Sequence, residues 1–286
     1  MKILMTGAAG KLGSQLQALL QDDHEVADAD IVGNVSHRLD ITDYAACRSL
    51  ITDLRPDIVL HPAAWTDVNG CALNPEKALL VNGVGTGHLA AITGERGLPM
   101  LYVSTNEVFD GAQFREYKEY DRPNPINAYG YSKWYGERAI AAVNPRHYIV
   151  RSAWLFAHGG GNFIHAILEA ARVGQPIRVV TNEIANPTYT KDLAEAIVKL
   201  IESERIGIYH LVNEGAVSRW QFARFVLDQA GFAETSIARI SRHEWPRPSL
   251  TPEHSALANV AGASIGIRLR PWEDAARAFL DAEAAV

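Results

Sequence analysis

Residues 2–13 read Lys2-Ile3-Leu4-Met5-Thr6-Gly7-Ala8-Ala9-Gly10-Lys11-Leu12-Gly13, a short apolar segment followed by a glycine turn and the start of a helical pattern. Glycines let the backbone turn sharply and approach a pyrophosphate, whose charge the amides and positive end of the next helix would meet. An isolated match is explained equally well as a plain glycine-rich turn. Its place between a strand and a helix favours dinucleotide binding. The candidate cofactor-binding residues are Gly7, Gly10, Lys11, Leu12 and Gly13.

Short apolar runs alternate with stretches of helical period over the first half of the chain. Strands that are brief and apolar throughout are typical of a sheet buried on both faces. The predicted strands are 2–6, 25–29, 58–61, 100–104 and 148–152, and the predicted helices are 12–20, 44–54, 76–96 and 131–143. This order predicts an α/β protein with a Rossmann-like, doubly wound parallel sheet.

The pattern loosens after residue 151, where a Gly159-Gly160-Gly161 run appears. Further helices are predicted at 162–171, 192–201, 220–230 and 271–284, with strands at 177–180 and 207–213. We expect residues 1–151 to form an NAD(P)-binding domain that carries the catalytic residues. Residues 152–286 are expected to form mainly a smaller substrate-binding lobe, with some segments returning to the first domain.

The composition excludes several classes of protein. The chain has 286 residues, 48% hydrophobic and 21% charged, which is typical of a globular protein. A net charge of -6 without basic runs argues against a nucleic-acid partner. Two cysteines without metal-ligand spacing predict neither a disulfide framework nor a metal site. No apolar stretch has the length of a membrane span and no signal peptide is recognisable, so we expect a cytoplasmic protein without membrane contacts.

Acidic residues near the end of the second predicted strand bear on cofactor choice. The Asp30 carboxylate can accept hydrogen bonds from the adenosine ribose and would repel a 2′-phosphate, which favours NADH slightly over NADPH. Asp28 is its rival, both could be solvated strand ends, and Arg38 nearby could receive a phosphate. Asp40, followed by Ile41, either sits against the adenine or caps the next helix.

The segment Tyr129-Gly130-Tyr131-Ser132-Lys133 places Tyr129 and Lys133 four residues apart at a predicted helix start, and therefore on one helix face. A lysine ammonium stabilises a nearby phenolate and lowers the tyrosine pKa, so Tyr129 is a candidate general acid. The alternative is an ordinary tyrosine beside a solvated lysine. Thr105 ends the strand before this helix, at the edge where such sheets bind ligands, and this favours the catalytic interpretation.

The glycine turn, Thr105, Tyr129 and Lys133 together resemble the extended short-chain dehydrogenase/reductases, whose Ser/Thr-Tyr-Lys triad works on nucleotide sugars. Within them the chain resembles the dTDP-4-dehydrorhamnose reductase family along nearly its whole length. The motifs that carry this resemblance are Ala63-Ala64-Trp65-Thr66-Asp67-Val68, Val81-Asn82, Val108-Phe109-Asp110-Gly111, Asn127-Ala128-Tyr129-Gly130-Tyr131-Ser132-Lys133, Arg151-Ser152-Ala153-Trp154, Asn162-Phe163, Pro187-Thr188-Tyr189 and Asp192-Leu193-Ala194. The resemblance implies cofactor contacts at Asp40, Ile41, Ala63, Ala64, Tyr129 and Lys133.

The chain departs from this family where Asn106-Glu107 replaces the usual Asp-Tyr. Glu107 resembles the Thr-Asp-Glu motif of sugar-nucleotide 4,6-dehydratases, but their acid is the Asp and an amide stands there in this chain. Because an amide cannot donate the proton that expels a hydroxyl, dehydration is disfavoured. Thr105, Asn106 and Glu107 are expected to contact the substrate, and the departure leaves the exact sugar open.

Two further residues are candidate substrate contacts. Arg247, in a segment that partly resembles the family's arginine-proline segment, is either a phosphate ligand or a surface arginine. Trp154 would face the sugar if the resemblance holds, and otherwise packs in the core. His61 and His210 lie in strand-like segments and are predicted to be core histidines rather than ligands.

The resemblance implies a reductase of a 4-keto nucleotide sugar, which converts dTDP-4-dehydrorhamnose to dTDP-rhamnose with NADH or NADPH. In that reaction Tyr129 donates the proton, Lys133 holds the cofactor ribose, and Thr105 binds the carbonyl. The alternatives are an epimerase or another keto-sugar reductase of the same fold, and a regulatory subunit that binds the cofactor without catalysis. A homodimer is a further possibility.

Overall fold

The computed structural model describes residues 1–284. Its strands, β1 to β13, are Lys2–Thr6, Glu25–Asp30, His37–Arg38, Ile58–His61, Met100–Thr105, His147–Ser152, Leu155–Phe156, Ile177–Val180, Ile184–Ala185, Thr188–Tyr189, Gly207–His210, Val217–Ser218 and Ile237–Ile240. The five strands predicted in the first half are all present, within one residue at either end. The two-residue strands were not predicted, because so short a segment carries no alternating pattern.

The α-helices, α1 to α11, are Lys11–Leu20, Tyr44–Leu54, Val68–Leu73, Pro75–Ala78, Thr86–Glu95, Ala128–Val143, Phe163–Arg172, Thr190–Glu202, Arg219–Gln229, Ala261–Ser264 and Trp272–Ala284. A π-helix covers Leu79–Gly85, and 3-10 turns cover Asn106–Val108 and Arg242–Glu244. Within residues 1–284, no helix combines the length and apolar character that a bilayer crossing needs.

Seven strands form one sheet in the order β11-β6-β5-β4-β1-β2-β3. Every neighbouring pair in it is parallel. The chain moves outward from β1 in one direction through β2 and β3, and in the other through β4, β5 and β6. Ligands bind at the carboxyl ends of strands near such a reversal. The predicted Rossmann-like fold is confirmed.

The helix predicted over 76–96 is instead three consecutive segments, with the π-helix in the middle. Two glycines of this π-helix lie against neighbouring elements. A side chain on Gly83 would come within 2.9 Å of Tyr135 on α6, and one on Gly85 within 2.9 Å of Ile41. The glycines that weaken the helical pattern therefore allow this segment to pack closely.

The second half of the chain contributes one strand to the central sheet and one helix that packs beside α1. Strand β11 is the edge strand beside β6, and Leu193 and Ile197 of α8 share a core with Leu12 and Leu16 of α1. A separate core joins α7, α9 and α11 around Phe156, Phe222, Trp272 and Phe279. The division into domains 1–151 and 152–286 stays a prediction, and residues 285 and 286 lie outside the described residues.

Both predicted core histidines are buried. The ring nitrogens of His61 lie 2.6 Å from Thr6 Oγ1 and 3.0 Å from Thr86 Oγ1. The Nδ1 atom of His210 lies 3.1 Å from the Tyr117 carbonyl oxygen. Burial lowers the pKa of each imidazole to about 3, so both rings are neutral at physiological pH.

Candidate active site

The glycine turn after β1 is closely packed. Gly7 has φ +72°, and a Cβ there would lie 2.5 Å from the Ala63 nitrogen at the end of β4. A Cβ on Gly13 would lie 2.1 Å from the Gly7 carbonyl oxygen. Any side chain at either position would therefore push α1 away from the strand or clash with β4. The turn requires glycine at both places, as a close-approach dinucleotide turn does.

The N-terminus of α1 is free of a side-chain cap within the described residues. Gly10 is its N-cap, whereas α2 is capped by the Asp43 side chain and α6 by that of Asn127. The first amides of a helix need an acceptor, and a negatively charged ligand provides one. Together with the glycine packing, this arrangement fits the pyrophosphate of a dinucleotide.

Lys11 and Leu12 place only their main chains at this turn. The Lys11 ammonium donates to the Gly161 carbonyl at 2.8 Å, which links α1 to the glycine run of the second half. Burial lowers the pKa of Lys11. The Leu12 side chain is buried in the core under the sheet. As predicted cofactor contacts, both residues would act through the amides of the first helical turn.

Asp30, rather than Asp28, lies at the glycine turn. Its carboxylate accepts hydrogen bonds from the amides of Ala9 at 3.1 Å, Ile31 at 2.7 Å and Val32 at 3.2 Å. The Asp28 carboxylate is buried and accepts the Ser36 amide at 3.2 Å. The link from Asp30 to Ala9 places its negative charge beside the turn.

Arg38 also lies near the end of β2. Its guanidinium donates to the Ile31 carbonyl at 2.8 Å, one residue beyond Asp30. A carboxylate and a guanidinium therefore both flank the place where an adenosine ribose would extend from the turn. Either charge could act on a 2′-phosphate, one by repulsion and the other by attraction.

Asp40 is exposed, and its carboxylate accepts the amide and hydroxyl of Thr42 at 2.9 and 2.8 Å. Helix α2 is capped by Asp43, which accepts the Ala46 amide at 3.0 Å. The alternative that Asp40 caps this helix is therefore wrong. Ile41 is buried against Gly85 of the π-helix.

Ala63 and Ala64 follow β4 and are both partly buried. Because Ala63 lies directly against Gly7, this pair borders the glycine turn. The structure therefore brings Ala63, Ala64 and Asp30 together with the turn, while Asp40 and Ile41 lie beyond β3.

Thr105, Tyr129 and Lys133 come together at the carboxyl edge of β5. Thr105 is the last residue of this strand, and Asn127 starts α6 by accepting the Gly130 amide at 2.8 Å. Tyr129 consequently lies in the first turn of α6, with Lys133 one turn further on. The Thr105 hydroxyl, which lies near the Tyr129 phenol, donates to Asn106 Oδ1 at 3.2 Å and accepts the Glu107 amide at 3.2 Å.

The pKa shifts of Tyr129 and Lys133 differ from those expected from the sequence. Burial, reinforced by the negative charge of Glu107, raises the pKa of Tyr129, and the contact with Thr105 opposes this shift. Burial lowers the pKa of Lys133 to about 7, against the charge of Glu137. The expected lowering of the Tyr129 pKa by Lys133 is wrong for this structure. The lysine is itself so desolvated that it carries only part of its charge near neutral pH.

The two residues that depart from the family pattern are both buried. Asn106 donates to Ser255 Oγ at 2.7 Å and accepts the Thr105 hydroxyl at 3.2 Å. Both the nitrogen and the oxygen of its side-chain amide are thus engaged within the protein, and its role as a substrate contact stays a prediction. Glu107 accepts the Asn127 amide at 2.5 Å.

Glu107 faces a cluster of charges that we call the arginine cluster, formed by Glu183, Arg219 and Arg247. Burial raises the pKa of Glu107, and the Asn127 hydrogen bond and the charges of Arg219 and Arg247 oppose this shift. Glu183 is 2% exposed and pairs with both arginines, with Arg219 Nε at 3.0 Å. Arg247 is therefore a partly buried member of an ion-pair network and not a free surface arginine.

Trp154 lies beside the arginine cluster with its backbone in the left-handed region, at φ +41°. The Arg219 guanidinium lies 4.0 Å from the centroid of its ring. The ring is partly buried and also packs on the small core around Phe109 and Val212. Trp154 thus has a core contact on one side and supports a cationic group on the other.

Sequence reasoning did not identify Arg219, Glu183 or Asn127 as site residues. Arg219 begins α9 directly after its cap, Ser218, and Glu183 lies in a short turn between β8 and β9. Neither position has a local pattern that sets it apart. Asn127 is the first residue of the motif that contains Tyr129 and Lys133, and its spacing before Gly130 is typical of a helix cap.

A family model described as RmlD substrate binding domain matches residues 1–285. The spore coat polysaccharide biosynthesis protein SpsK of Bacillus subtilis is 36% identical over 279 residues, covering 98% of this chain and 96% of that protein. The dTDP-4-dehydrorhamnose reductase of Mycobacterium tuberculosis H37Rv is 35% identical over 290 residues, covering 99% of this chain and 93% of that protein.

Solved structures with the same fold include two dTDP-4-dehydrorhamnose reductases. That of Clostridium acetobutylicum superposes with a TM-score of 0.93 at 32% identity, over 99% of this chain and 100% of that one. That of Bacillus anthracis, in complex with NADP, has a TM-score of 0.92 at 30% identity, over 98% of each chain. With relatives of this identity along its whole length, the chain belongs to the RmlD substrate binding domain family.

Proposed function

We propose that this chain is an NAD(P)H-dependent reductase of a 4-keto nucleotide sugar that converts dTDP-4-dehydrorhamnose to dTDP-rhamnose. The observation that carries the proposal is the close packing of the first turn of α6, which holds Tyr129, on the residues that follow Thr105 at the end of β5: a Cβ on Gly130 would lie 2.0 Å from the Glu107 carbonyl oxygen. The glycine turn lies at the same edge of the sheet. A proton donor, a hydroxyl that can bind a carbonyl and a dinucleotide turn thus share one sheet edge. The full-length reductase relatives support the same reaction.

The chain's own residues account for the proton and for orientation. A reduced nicotinamide, when bound, supplies the hydride that goes to the keto carbon. Tyr129 gives its phenolic proton to the keto oxygen, which becomes the new hydroxyl. The Thr105 hydroxyl, which donates to Asn106 Oδ1 in the structure, turns to donate its hydrogen bond to the same oxygen. Placed acids of this kind contribute roughly 10²- to 10⁴-fold in rate. The raised pKa keeps Tyr129 protonated and ready to donate at neutral pH.

Lys133 supplies a positive charge one helical turn from Tyr129. Its pKa of about 7 means that it gains a proton readily once a partner oxygen approaches. We propose that it holds the cofactor ribose and offsets the negative charge that remains on Tyr129 after proton transfer. The phenol then regains its proton from solvent before the next turnover.

The arginine cluster is the proposed site for the substrate diphosphate. Arg219 and Arg247 come from the second half of the chain, and Glu183 holds both. One guanidinium group can bind two phosphate oxygens at once, which fixes the orientation of the substrate. We propose accordingly that residues 1–151 bind the cofactor and that 152–286 supply mainly the substrate contacts.

The cofactor is NADH or NADPH. The Bacillus anthracis relative contains NADP, whereas Asp30 at the glycine turn of this chain favours NADH. Both cysteines are free within the described residues, which suits a reducing compartment such as the cytoplasm, and we propose that location. The homodimer stays a prediction.

Purified protein mixed with dTDP-4-dehydrorhamnose and either NADH or NADPH tests the proposal. We expect loss of the reduced-nicotinamide absorbance and one equivalent of dTDP-rhamnose, identified by proton NMR of the new hydroxyl centre. A product with the opposite configuration at that carbon would keep the reductase and overturn the rhamnose assignment. The absence of any oxidation, with cofactor binding intact, would overturn the reaction.

A further inference from the structure

The Lys133 ammonium is buried without a carboxylate partner. Its side chain is 2% exposed, and it forms no ion pair with any residue of 1–284. The nearest acidic group on its own helix, Glu137, is already occupied. It forms a two-point ion pair with Arg151 at 2.9 and 2.7 Å and accepts the Ser104 hydroxyl at 2.6 Å. Any stabilisation of the charged form of Lys133 therefore comes from a neighbour other than a carboxylate.

That group is the ring of Tyr102. The Lys133 Nζ lies 4.2 Å from the centroid of this ring, within the range of a cation–π interaction. Tyr102 is fully buried in the middle of β5, where the effect of such an interaction is largest. Its hydroxyl lies 3.3 Å from the carbonyl oxygens of both Asn82 and Lys133, so the same side chain also contacts the backbone of α6.

A glycine in α6 makes this contact possible. A Cβ on Gly136 would lie 2.6 Å from the Tyr102 hydroxyl oxygen and 2.9 Å from the Asn82 carbonyl oxygen. Glycine is less favourable than alanine inside a helix. Here it allows α6 to approach β5, which brings Lys133 over the ring.

The other neighbours of Lys133 do not replace the ring. His61 on β4 stacks on Tyr102, with centroids 5.5 Å apart, and burial keeps this imidazole neutral by lowering its pKa to about 3. Cys71 on α3 also faces Lys133, and burial raises the pKa of its thiol to about 11, so it is neutral as well. Glu137 acts on Lys133 only at longer range, since Arg151 already balances its charge.

We propose that Tyr102 is a positioning residue for Lys133, whose ammonium it holds over its ring in place of a carboxylate. An aromatic face is electron-rich but has no oxygen that competes for the ammonium protons, so they stay free for a ligand. A carboxylate in the same place would hold them instead. The proposal builds on the catalytic site proposed above, but its test does not depend on turnover.

The test is a direct titration of Lys133 in the full chain, followed by NMR of protein labelled with ¹³C at the lysine Cε. Lys133→Met identifies the signal by its loss. We expect Tyr102→Phe, which keeps the ring, to titrate within about 0.3 units of the wild type. Tyr102→Leu, which removes the ring, should lower the pKa of Lys133 by about one unit. Tyr148→Leu, at another buried strand tyrosine, is the packing control and should leave the Lys133 titration unchanged.

Pentafluorophenylalanine at position 102 keeps the size of a phenylalanine ring while reversing the charge on its face. It should lower the pKa of Lys133 below that of Tyr102→Phe even if Tyr102→Leu fails to fold. Equal titration of these two ring variants would overturn the proposal, as would a shift in Tyr102→Phe as large as that in Tyr102→Leu. A wild type that titrates as expected but does not reduce the keto sugar would contradict the proposed function alone.

Discussion

The side-chain nitrogen of Asn127 lies 2.5 Å from a carboxylate oxygen of Glu107, while its side-chain oxygen accepts the Gly130 amide that starts α6. The same nitrogen donates to the Leu250 carbonyl at 2.9 Å. One side chain therefore fixes the helix that carries Tyr129, the buried Glu107 and the segment that follows Arg247. The proton donor and the proposed diphosphate site are joined through this amide.

Glu107→Gln should raise the melting temperature at pH 7.5. Burial raises the pKa of Glu107, so the folded state binds its proton more tightly than the unfolded state. The stability linked to this proton is fully present below the unfolded pKa of about 4.3 and is lost as the pH rises through the folded pKa. Glutamine has no charge to bury, so its advantage should appear at pH 7.5 and vanish at pH 4. Melting curves at both pH values check this.

Glu169→Gln, at an exposed position, is the control for that comparison and should show no difference that depends on pH. A lower melting temperature for Glu107→Gln at pH 7.5 would mean that the nearby arginines stabilise the ionised carboxylate more than burial disfavours it.

Lys133→Met should stabilise the protein most at low pH. Burial lowers the pKa of Lys133 to about 7, from about 10.4 in an unfolded chain. The wild type therefore gains stability as the pH rises from about 7 to about 10, because the folded lysine is then neutral. Methionine has no such dependence. Its advantage should be a few kcal/mol at pH 6.5, to order of magnitude, and should shrink toward pH 9.5.

Denaturant unfolding at those two pH values measures this, with the exposed Lys191→Met as the control that should follow the wild type. An advantage for Lys133→Met that grew with pH would contradict the assigned direction of the lysine pKa. The same variant should lose turnover, since it cannot balance the Tyr129 phenolate.

Asp30→Asn should shift the cofactor preference toward NADPH. The Asp30 carboxylate already accepts three amides at the glycine turn, and its charge would repel a 2′-phosphate. We expect the wild type to have the higher kcat/KM with NADH. The kcat/KM of the variant with NADH should fall about tenfold, because the neutral amide accepts a weaker hydrogen bond from the ribose than the carboxylate does.

Arg38→Ala is the companion variant and should affect NADPH more than NADH, since its guanidinium lies beside the same turn. A wild type that prefers NADPH, and loses that preference in Arg38→Ala, would show that the arginine and not Asp30 determines the cofactor.

Arg247→Ala should raise the KM for the nucleotide sugar about tenfold or more while changing kcat less than about threefold. Arg247 pairs with Glu183 in the arginine cluster and makes no hydrogen bond to Thr105, Tyr129 or Lys133. A charge-assisted bond to a phosphate supports binding in the ground state and the transition state alike. Steady-state kinetics would check these two values. Arg178 is an exposed arginine of β8, and Arg178→Ala is the control that should change neither. A fall in kcat alone would instead place Arg247 near the reacting carbonyl.

The sequence was sufficient to predict six of the seven strands of the central sheet, all but β3, and to select Thr105, Tyr129 and Lys133 as a candidate catalytic group. Each of these depends on local spacing: short apolar strands, a glycine turn between a strand and a helix, and two side chains one helical turn apart.

Arg219 and Glu183 could not be predicted in this way. They meet because β9 and β12 pair and bring residue 183 next to the start of α9. Two-residue strands of this kind leave no period in the sequence. The raised pKa of Tyr129 was missed for a related reason, since it depends on how deeply the phenol and Glu107 are buried and not on the distance to Lys133 along the helix.

The most direct test is the rate of NAD(P)H oxidation by Tyr129→Phe with dTDP-4-dehydrorhamnose, measured in a single turnover beside Tyr131→Phe. Tyr131 is exposed two residues further along the same helix, so it controls for loss of a phenol as such. We expect Tyr129→Phe to be slower by about 10²- to 10⁴-fold with unchanged NADH binding, and Tyr131→Phe to match the wild type. A Tyr129→Phe protein that reduced the keto sugar at the wild-type rate would show that another group donates the proton.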